Sequence, residues 1–270
     1  MDNLFKETDF GTIRYLENRG RGDVPTLFIH GFMGVADSWR EVISSTGSHS
    51  LAVDVVGHGK SPFIDTEHPY SVEYWSNSIN QLIESKNLEK VNVCGYSMGG
   101  RLSVAFASQY PGSINKLILE SSSLGINDDD QREQRLIEDL DRCNQIESNL
   151  EKFVDIWESL PMFENQEIRN KIGFQEQRKH RLSHDSLQLS ESLKLFSQGA
   201  MKSYIDEFSE FNFPIHLING SEDVKYVDMS DRMSTHNKNV TIHRVDSGHN
   251  VHLERPNIFI DIIKDILNSN

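Results

Sequence analysis

VNVCGYSMGGR, residues 91–101, joins a short apolar run to a stretch with helical periodicity through the pattern Gly95-x-Ser97-x-Gly99. Residues 91–95 favour a strand and residues 99–109 favour a helix. Glycines two positions on either side of the serine let a strand and a helix pass closely without Cβ clashes. The segment therefore predicts a sharp strand-to-helix turn that exposes the Ser97 hydroxyl at the N-terminus of a helix.

The sequence on either side of this turn alternates between apolar runs and amphipathic helical stretches. Such an order predicts a mostly parallel sheet with helices on both faces. The predicted strands up to residue 124 are 26–30, 50–55, 91–95 and 116–119, and the predicted helices are 36–45, 71–86 and 99–109.

The alternation stops over residues 125–199, which are charged, predicted to be helical and without a convincing strand. It resumes with predicted strands at 214–219 and 240–245 and a final amphipathic helix at 254–268. We therefore expect one α/β domain of the α/β-hydrolase fold, built from residues 1–124 and 200–270. Residues 125–199 are predicted to form a helical lid inserted over one end of its sheet.

A serine nucleophile or base needs a histidine and an acid that orients it. His249 follows a late strand, at the sheet edge where parallel sheets bind ligands, whereas His30 and His58 lie in early glycine-containing loops. His30 and His58 are expected to shape the floor of the pocket or to bond backbone groups. His252 is expected either to have a structural role or to support the residues that contact the substrate.

The acid is expected between the serine and the histidine in chain order. Asp223 follows the predicted strand 214–219 and is the preferred candidate. Glu222 is adjacent and Asp228 lies in the next predicted helix, so both are alternatives. The predicted triad is Ser97, Asp223 and His249.

Backbone amides in the loops after the predicted strands 26–30 and 91–95 are candidates for an oxyanion hole. The loop His30-Gly31-Phe32-Met33-Gly34 follows an early strand, and Met98 follows the serine. The amides of Phe32 and Met98 are therefore expected to stabilise a developing oxyanion, whether a tetrahedral intermediate or an enolate.

The charge balance excludes several classes of partner. Lys and Arg total 27 against 41 Asp and Glu, which gives a net charge of −14. This balance disfavours binding to nucleic acid or to an anionic membrane, although a few arginines can still form a local site for a small anion.

The sequence favours a cytoplasmic protein, because it contains only two cysteines, no signal-peptide pattern and no long apolar run. No HExxH or GxGxxG motif is present, so neither a metal nor an organic cofactor is expected.

Three segments resemble the corresponding segments of the MenH family. The members of this family are 2-succinyl-6-hydroxy-2,4-cyclohexadiene-1-carboxylate synthases. The three segments are GYSMGGR at 95–101, GSEDVKY at 220–226 and SGHNVHLERP at 247–256, and the resemblance covers nearly the whole chain. It implies a lyase of menaquinone biosynthesis that eliminates pyruvate from an enolpyruvyl cyclohexene bearing several carboxylates. In such an enzyme, the triad serine acts as a base through the histidine, and the oxyanion hole holds an enolate.

A substrate with several carboxylates requires arginines, which bind carboxylates in a bidentate manner. Arg101 lies one helical turn after Ser97 and is expected in the pocket. The resemblance further implies substrate contacts by Tyr96, Arg132, Trp157 and Arg181. Arg135 is an alternative to Arg132, Arg178 is an alternative to Arg181, and Lys225 is expected to support the Asp223 loop. The protein is expected to be a monomer or a homodimer.

Two other functions are compatible with the same motifs. The first is hydrolysis of an ester, a thioester or a carbon–carbon bond through an acyl-enzyme, because one fold supports many reactions. The second is a non-catalytic binding protein of the same fold. Such proteins usually lack a triad residue, whereas all three positions are filled here.

Overall fold

The strands of this computed structural model, which describes residues 1–64 and 70–269, form one sheet. Their order in the sheet is β1-β2-β4-β3-β5-β6-β7-β8, where the strands have the following bounds: β1 Leu4–Thr8, β2 Gly11–Asn18, β3 Arg21–Ile29, β4 Ser48–Val53, β5 Val91–Tyr96, β6 Ile114–Glu120, β7 Ile215–Gly220 and β8 Val240–Val245. Strands β3 to β8 run parallel, and β2 is antiparallel to both β1 and β4.

Twelve α-helices occur in the described residues. They are α1 Arg40–Thr46, α2 Val72–Ser85, α3 Met98–Gln109, α4 Asp129–Ser148, α5 Leu150–Glu158, α6 Gln166–Arg169, α7 Lys171–Leu182, α8 Ser186–Phe196, α9 Ile205–Ser209, α10 Val224–His236, α11 Val251–Glu254 and α12 Pro256–Asn268. Short 3-10 helices at Ala36–Trp39, Pro111–Ser113 and Pro161–Phe163 complete them.

The two faces of the sheet carry separate hydrophobic cores, because side chains alternate between faces along a strand. In β3, Leu27 and Ile29 pack on the side of α2 and α3, whereas Phe28 packs on the side of α1 and α12. Cys94 in β5 lies on the same side as Phe28 and is fully buried. Burial of both faces explains why the central strands are apolar throughout.

Helices α4 to α8 lie between β6 and β7 in sequence, within residues 125–199. They share a third hydrophobic cluster that includes Phe153, Leu189 and Leu193. Met33, from the loop after β3, is buried in this cluster, and Phe32 packs against it. The inserted helices are therefore packed against the carboxyl edge of the sheet, where the predicted functional loops lie.

The predicted α/β fold with a mostly parallel sheet is confirmed, while some elements differ from expectation. The hairpin of β1 and β2 was not predicted, and β3 begins before the predicted 26–30. Predicted helix 36–45 is a 3-10 turn followed by α1. Predicted helix 254–268 corresponds to α12, which begins at Pro256, and the short helix α11 before it was not predicted. Proline is suited to the first position of α12, because the N–H that it lacks would have no partner within the helix there and its fixed φ is already helical. None of the helices in the described residues has the length and apolarity to span a membrane.

Candidate active site

Ser97 lies at the tip of the turn between β5 and α3 with a left-handed backbone, φ +52° and ψ −109°. This conformation is unusual for a residue with a side chain and marks a strained site. A Cβ on Gly95 would lie 2.2 Å from Ser103 Oγ, and one on Gly99 would lie 2.3 Å from the Ile29 carbonyl oxygen. The two glycines are thus required because the helix passes directly over the strands.

Three distant segments bring Ser97, His249 and Asp223 into hydrogen-bond contact. His249 Nε2 lies 3.1 Å from Ser97 Oγ, and His249 Nδ1 lies 2.6 Å from Asp223 Oδ2. Both His249 and Asp223 are buried. A carboxylate at Nδ1 keeps the proton on that nitrogen and leaves Nε2 free to accept the serine proton.

The loops that carry the acid and the histidine cross at a close distance. A Cβ on Gly220 would lie 2.0 Å from the Gly248 carbonyl oxygen, so the end of β7 can approach the loop after β8 only as glycine. Asp223 points from this crossing to His249, whereas the adjacent Glu222 points outward to Arg169. Asp228 lies further along α10, and the carboxylate bonded to His249 Nδ1 is that of Asp223.

The loop that carries Phe32 is held by two neutral histidines. Met33 has φ +62°; its amide donates to His58 Nε2 at 3.2 Å, and its carbonyl accepts from His184 Nε2 at 3.1 Å. Burial lowers the pKa of both imidazoles, to about 4 for His184. Phe32 and Met98 both line the cavity in front of Ser97, as expected for residues whose amides face a reacting oxygen.

The other early histidine also bonds backbone, as predicted. His30 Nε2 accepts the Val55 amide at 2.9 Å, which ties the loop after β3 to the loop after β4. His252 is different, because its Nδ1 lies 2.7 Å from Glu120 Oε2 and its ring stacks on Trp39. The two residues form a second buried histidine–carboxylate pair, and His252 lines the same cavity.

The buried state of His184 predicts a specific sensitivity to acid. Its pKa is about 4 in the folded protein, against about 6.5 in the unfolded chain, so between these values the unfolded chain binds more protons. Stability that is present above pH 6.5 should therefore decline toward pH 4. We expect His184→Gln to reduce the loss of unfolding free energy between pH 7 and 4.5 by about 2–3 kcal/mol. Urea unfolding of the wild-type protein and the variant at pH 7 and pH 4.5 measures this loss. The prediction would be contradicted if both proteins lost the same unfolding free energy between the two pH values.

A cavity of about 290 Å³ opens in front of Ser97 between the sheet edge and the inserted helices. Its walls carry more positive than negative groups, which is unusual in a chain of net charge −14. The two carboxylates are Asp139 and Asp223. The cationic side chains that line it are Arg101, Arg135, Arg142, Arg181 and Lys225.

Arg101 is a buried cation that lacks a carboxylate partner in the described residues. Its Nη2 donates to the Phe196 carbonyl at 2.9 Å, and its buried Nε has no hydrogen-bond partner there. Burial lowers the pKa of Arg101 to about 10. A guanidinium held in this way is costly unless an anion pairs with it, so the geometry fits a bound carboxylate.

Arg181, Trp157 and Tyr96 also line the cavity. Arg181 is buried; its Nη1 donates to Glu158 at 2.8 Å, and its guanidinium lies over the ring of Phe163. Arg178, the alternative to Arg181, pairs with Asp155 and Glu158 and does not line the cavity.

Arg132 is not among the cavity residues. It pairs with Asp129 at 3.6 Å and its side chain is 37% exposed. Arg135, three residues later on α4, lines the cavity instead and bonds Asp139 and Gln198. The structure thus brings together all the predicted site residues except Arg132, and Arg135 occupies the position expected for it.

Several cavity residues were missed by sequence reasoning, notably Tyr226, Arg142 and Gln177. Tyr226 is buried and its ring lies 4.6 Å from that of His249. Burial raises the pKa of Tyr226, whereas the charge of Arg101 and a hydrogen bond with the Ser97 side chain oppose that increase. The sequence did contain a signal for this role, because Tyr226 lies only three residues after Asp223, in the first turn of α10.

Comparison with known proteins agrees with this geometry. A family model for the alpha/beta hydrolase fold matches residues 24–256. A Bacillus subtilis (strain 168) protein assigned as a 2-succinyl-6-hydroxy-2,4-cyclohexadiene-1-carboxylate synthase is 31% identical over 89% of this chain and 89% of that protein. A Klebsiella pneumoniae protein of the same name is 26% identical over 93% and 97%.

Among solved structures, MenH from S. aureus superposes with a TM-score of 0.87 at 24% identity, over 94% of this chain and 97% of that one. This likeness shows the fold, and the Bacillus relative shows the family. The chain therefore belongs to the alpha/beta hydrolase fold family and, within it, to the family of 2-succinyl-6-hydroxy-2,4-cyclohexadiene-1-carboxylate synthases.

Proposed function

We propose that this protein eliminates pyruvate from 2-succinyl-5-enolpyruvyl-6-hydroxy-3-cyclohexene-1-carboxylate to give 2-succinyl-6-hydroxy-2,4-cyclohexadiene-1-carboxylate. The observation that carries the proposal is Arg101, a buried guanidinium without a carboxylate partner in the described residues, facing the cavity that contains Ser97. A site for a neutral ester has no need of such a cation, whereas a substrate with several carboxylates does. The names of the relatives support the same reaction.

The proposed first step is removal of a ring proton next to the succinyl ketone. His249 Nε2 accepts the Ser97 proton over the 3.1 Å contact, and Ser97 Oγ takes the substrate proton. Asp223 stabilises the imidazolium through Nδ1. The electrons of the broken C–H bond move onto the ketone oxygen, which becomes an enolate held by the amides of Phe32 and Met98.

The proposed second step is loss of the enolpyruvyl oxygen. Electrons return from the enolate through the ring double bond and expel the leaving group, which creates the conjugated diene. The imidazolium of His249 supplies a proton, and the enolpyruvate becomes pyruvate. The triad thus takes one proton from the ring and returns one proton to the leaving group, and no water is added.

The cationic side chains are proposed to bind and orient the substrate carboxylates. Arg101 and Arg181 approach from α3 and α7, and Trp157 and Tyr96 supply aromatic walls. We propose that residues 1–124 and 200–270 form the core domain and that residues 125–199 act as the lid that covers the substrate. A cytoplasmic location and a monomeric or homodimeric state also stay predictions.

The test is an assay of the purified protein with the enolpyruvyl substrate, following pyruvate by coupled reduction and the diene by its absorbance. The proposal would be supported if pyruvate and the diene formed at equal rates with the wild-type protein and if neither formed with Ser97→Ala. Burst release from activated esters without pyruvate formation would instead indicate a hydrolase that forms an acyl-enzyme.

Arg132 and Arg135, which lie three residues apart on α4, give a direct test of the cavity. We expect Arg135→Met to raise KM at least about tenfold, because it removes a cation that faces the substrate, whereas Arg132→Met should change kcat/KM by less than about twofold. Steady-state kinetics of both variants measure the difference. The reverse order would mean that α4 is rotated about its axis in the complex.

A further inference from the structure

His252 and Glu120 form a buried pair at the wall of the active-site cavity, and the triad does not use this pair. Glu120, the last residue of β6, is fully buried. Its Oε2 lies 2.7 Å from His252 Nδ1, and its Oε1 accepts the His252 backbone amide at 3.0 Å. Both oxygens of one carboxylate therefore fix the position of His252.

Aromatic rings fix the plane of the same imidazole. Trp39 stacks on it with ring centroids 4.2 Å apart, and Tyr96 and Phe259 pack against it at steep angles with centroids 5.0 and 5.8 Å away. Binding sites depend on side chains whose orientation is locked by their neighbours in this way. The orientation of both nitrogens of His252 is thus set before any ligand binds.

The nitrogen Nε2 of His252 is the polar atom that these contacts leave available. It makes no hydrogen bond within the described residues, and it is not fully buried there. The side chain lines the cavity that contains Ser97. Because the carboxylate of Glu120 keeps the proton on Nδ1, Nε2 carries a lone pair and can accept a hydrogen bond.

The proposed substrate has one group that can donate to such an acceptor. Its carboxylates, its ketone and its enol ether only accept hydrogen bonds, and they suit the cations in the cavity wall, such as Arg101 and Arg181. Its ring hydroxyl, at position 6, is its single donor. Among the groups of this substrate, an acceptor in the wall can pair only with that hydroxyl.

We propose that His252 binds the 6-hydroxyl of the substrate and makes the enzyme selective for it. Glu120 and Trp39 hold the imidazole so that Nε2 accepts the hydrogen bond. A ligand without the hydroxyl covers Nε2 and leaves it without a partner, which is costly for a buried acceptor. This inference rests on the proposed function, because it concerns one group of the proposed substrate.

The test compares the hydroxylated substrate with its 6-deoxy analogue, which has a hydrogen in place of the hydroxyl. We expect the wild-type kcat/KM for pyruvate release to be at least about thirtyfold lower for the analogue, because a site that bonds a hydroxyl rejects a ligand without one. The coupled pyruvate assay measures both values.

His252→Phe keeps a ring against Trp39 and removes both nitrogens. It should lower kcat/KM for the hydroxylated substrate at least about thirtyfold, and for the analogue by less than about threefold. A merely structural role of His252 would lower both values equally. His252→Gln, whose amide oxygen can reach the position of Nε2, should recover part of the preference for the hydroxyl.

A second variant separates selectivity from stability. His252→Phe leaves the carboxylate of Glu120 buried without its partner, and adding Glu120→Gln removes that charge while keeping an oxygen for the backbone amide of residue 252. The double variant should regain thermal stability and still not distinguish the two substrates. His180→Phe is the control, because His180 lines an adjacent cavity of about 750 Å³ but not the one that contains Ser97. It should keep the wild-type preference within about twofold.

An equal loss of activity on both substrates in His252→Phe would overturn the inference, and so would recovery of the preference together with stability in the double variant. Nitrogen NMR of the free protein, with the His252 signals assigned by their loss in His252→Gln, would overturn it by placing the proton on Nε2. Equal wild-type kcat/KM values for the two substrates would refute this inference alone. The absence of pyruvate from both substrates would refute the proposed function and this inference with it.

Discussion

Ser97→Ala is expected to lower kcat for pyruvate formation at least about 1,000-fold, which corresponds to about 4 kcal/mol of transition-state stabilisation. Alanine removes the oxygen that lies 3.1 Å from His249 and that takes the substrate proton in the proposed mechanism. His249→Gln should cause a similar loss. The double variant should be hardly slower than either single variant, because the residues act as one unit. The coupled pyruvate assay measures all three.

Ser108→Ala is a matched control for the serine substitution. Ser108 lies on the same helix, α3, and bonds the Val104 carbonyl away from the cavity. It should retain wild-type kcat. If Ser97→Ala kept more than about a tenth of the activity, the base would have to be another group, and the triad would not perform the chemistry.

Arg101→Met is expected to have opposite effects on activity and on stability. Loss of the guanidinium should lower kcat/KM at least about tenfold, or about 1.4 kcal/mol, because a substrate carboxylate loses its partner. The free protein should become more stable by about 1 kcal/mol, since methionine has no charge to bury. The cost of burying this charge, which also lowers the pKa of Arg101 to about 10, is the physical basis of that gain. Loss of the bond to the Phe196 carbonyl offsets part of it.

Steady-state kinetics and urea unfolding measure the two effects separately. Arg232→Met is the control, because Arg232 is an exposed arginine on α10 that bonds the Asp228 carbonyl. It should change neither quantity appreciably. A kcat/KM for Arg101→Met within about twofold of wild type would remove Arg101 from the substrate site.

The central strands could be predicted within about two residues because their signals are local. Strands β4 to β7 are largely buried runs rich in apolar residues that end at glycines or polar loops, because both faces of the sheet are covered there. The hairpin of β1 and β2 lies at the sheet edge, and β1 is half exposed with charged residues along it. Its sequence therefore lacks the apolar run by which the other strands were identified.

The choice between neighbouring charged residues could not be made from the sequence. Asp223 and Glu222 are adjacent acids in one loop, and only the close approach of Gly220 to Gly248 directs the first to His249 and the second to Arg169. Arg132 and Arg135 differ by less than one helical turn, and α4 has charged residues on most of its surface. The rotation of such a helix is set by packing against its neighbours, which its own polarity pattern does not specify.

The sequence by itself determined the strand-to-helix turn at Ser97, the order of the triad residues and the mostly parallel sheet, because each depends on residue types within a short window. Only the tertiary structure decided which arginines face the cavity, that Arg101 pairs with no carboxylate in the described residues, and that Arg169 joins Glu222 and Glu254. These features depend on pairing between charges far apart in the chain, and a pairing energy exists only once folding has brought the partners within a few ångströms.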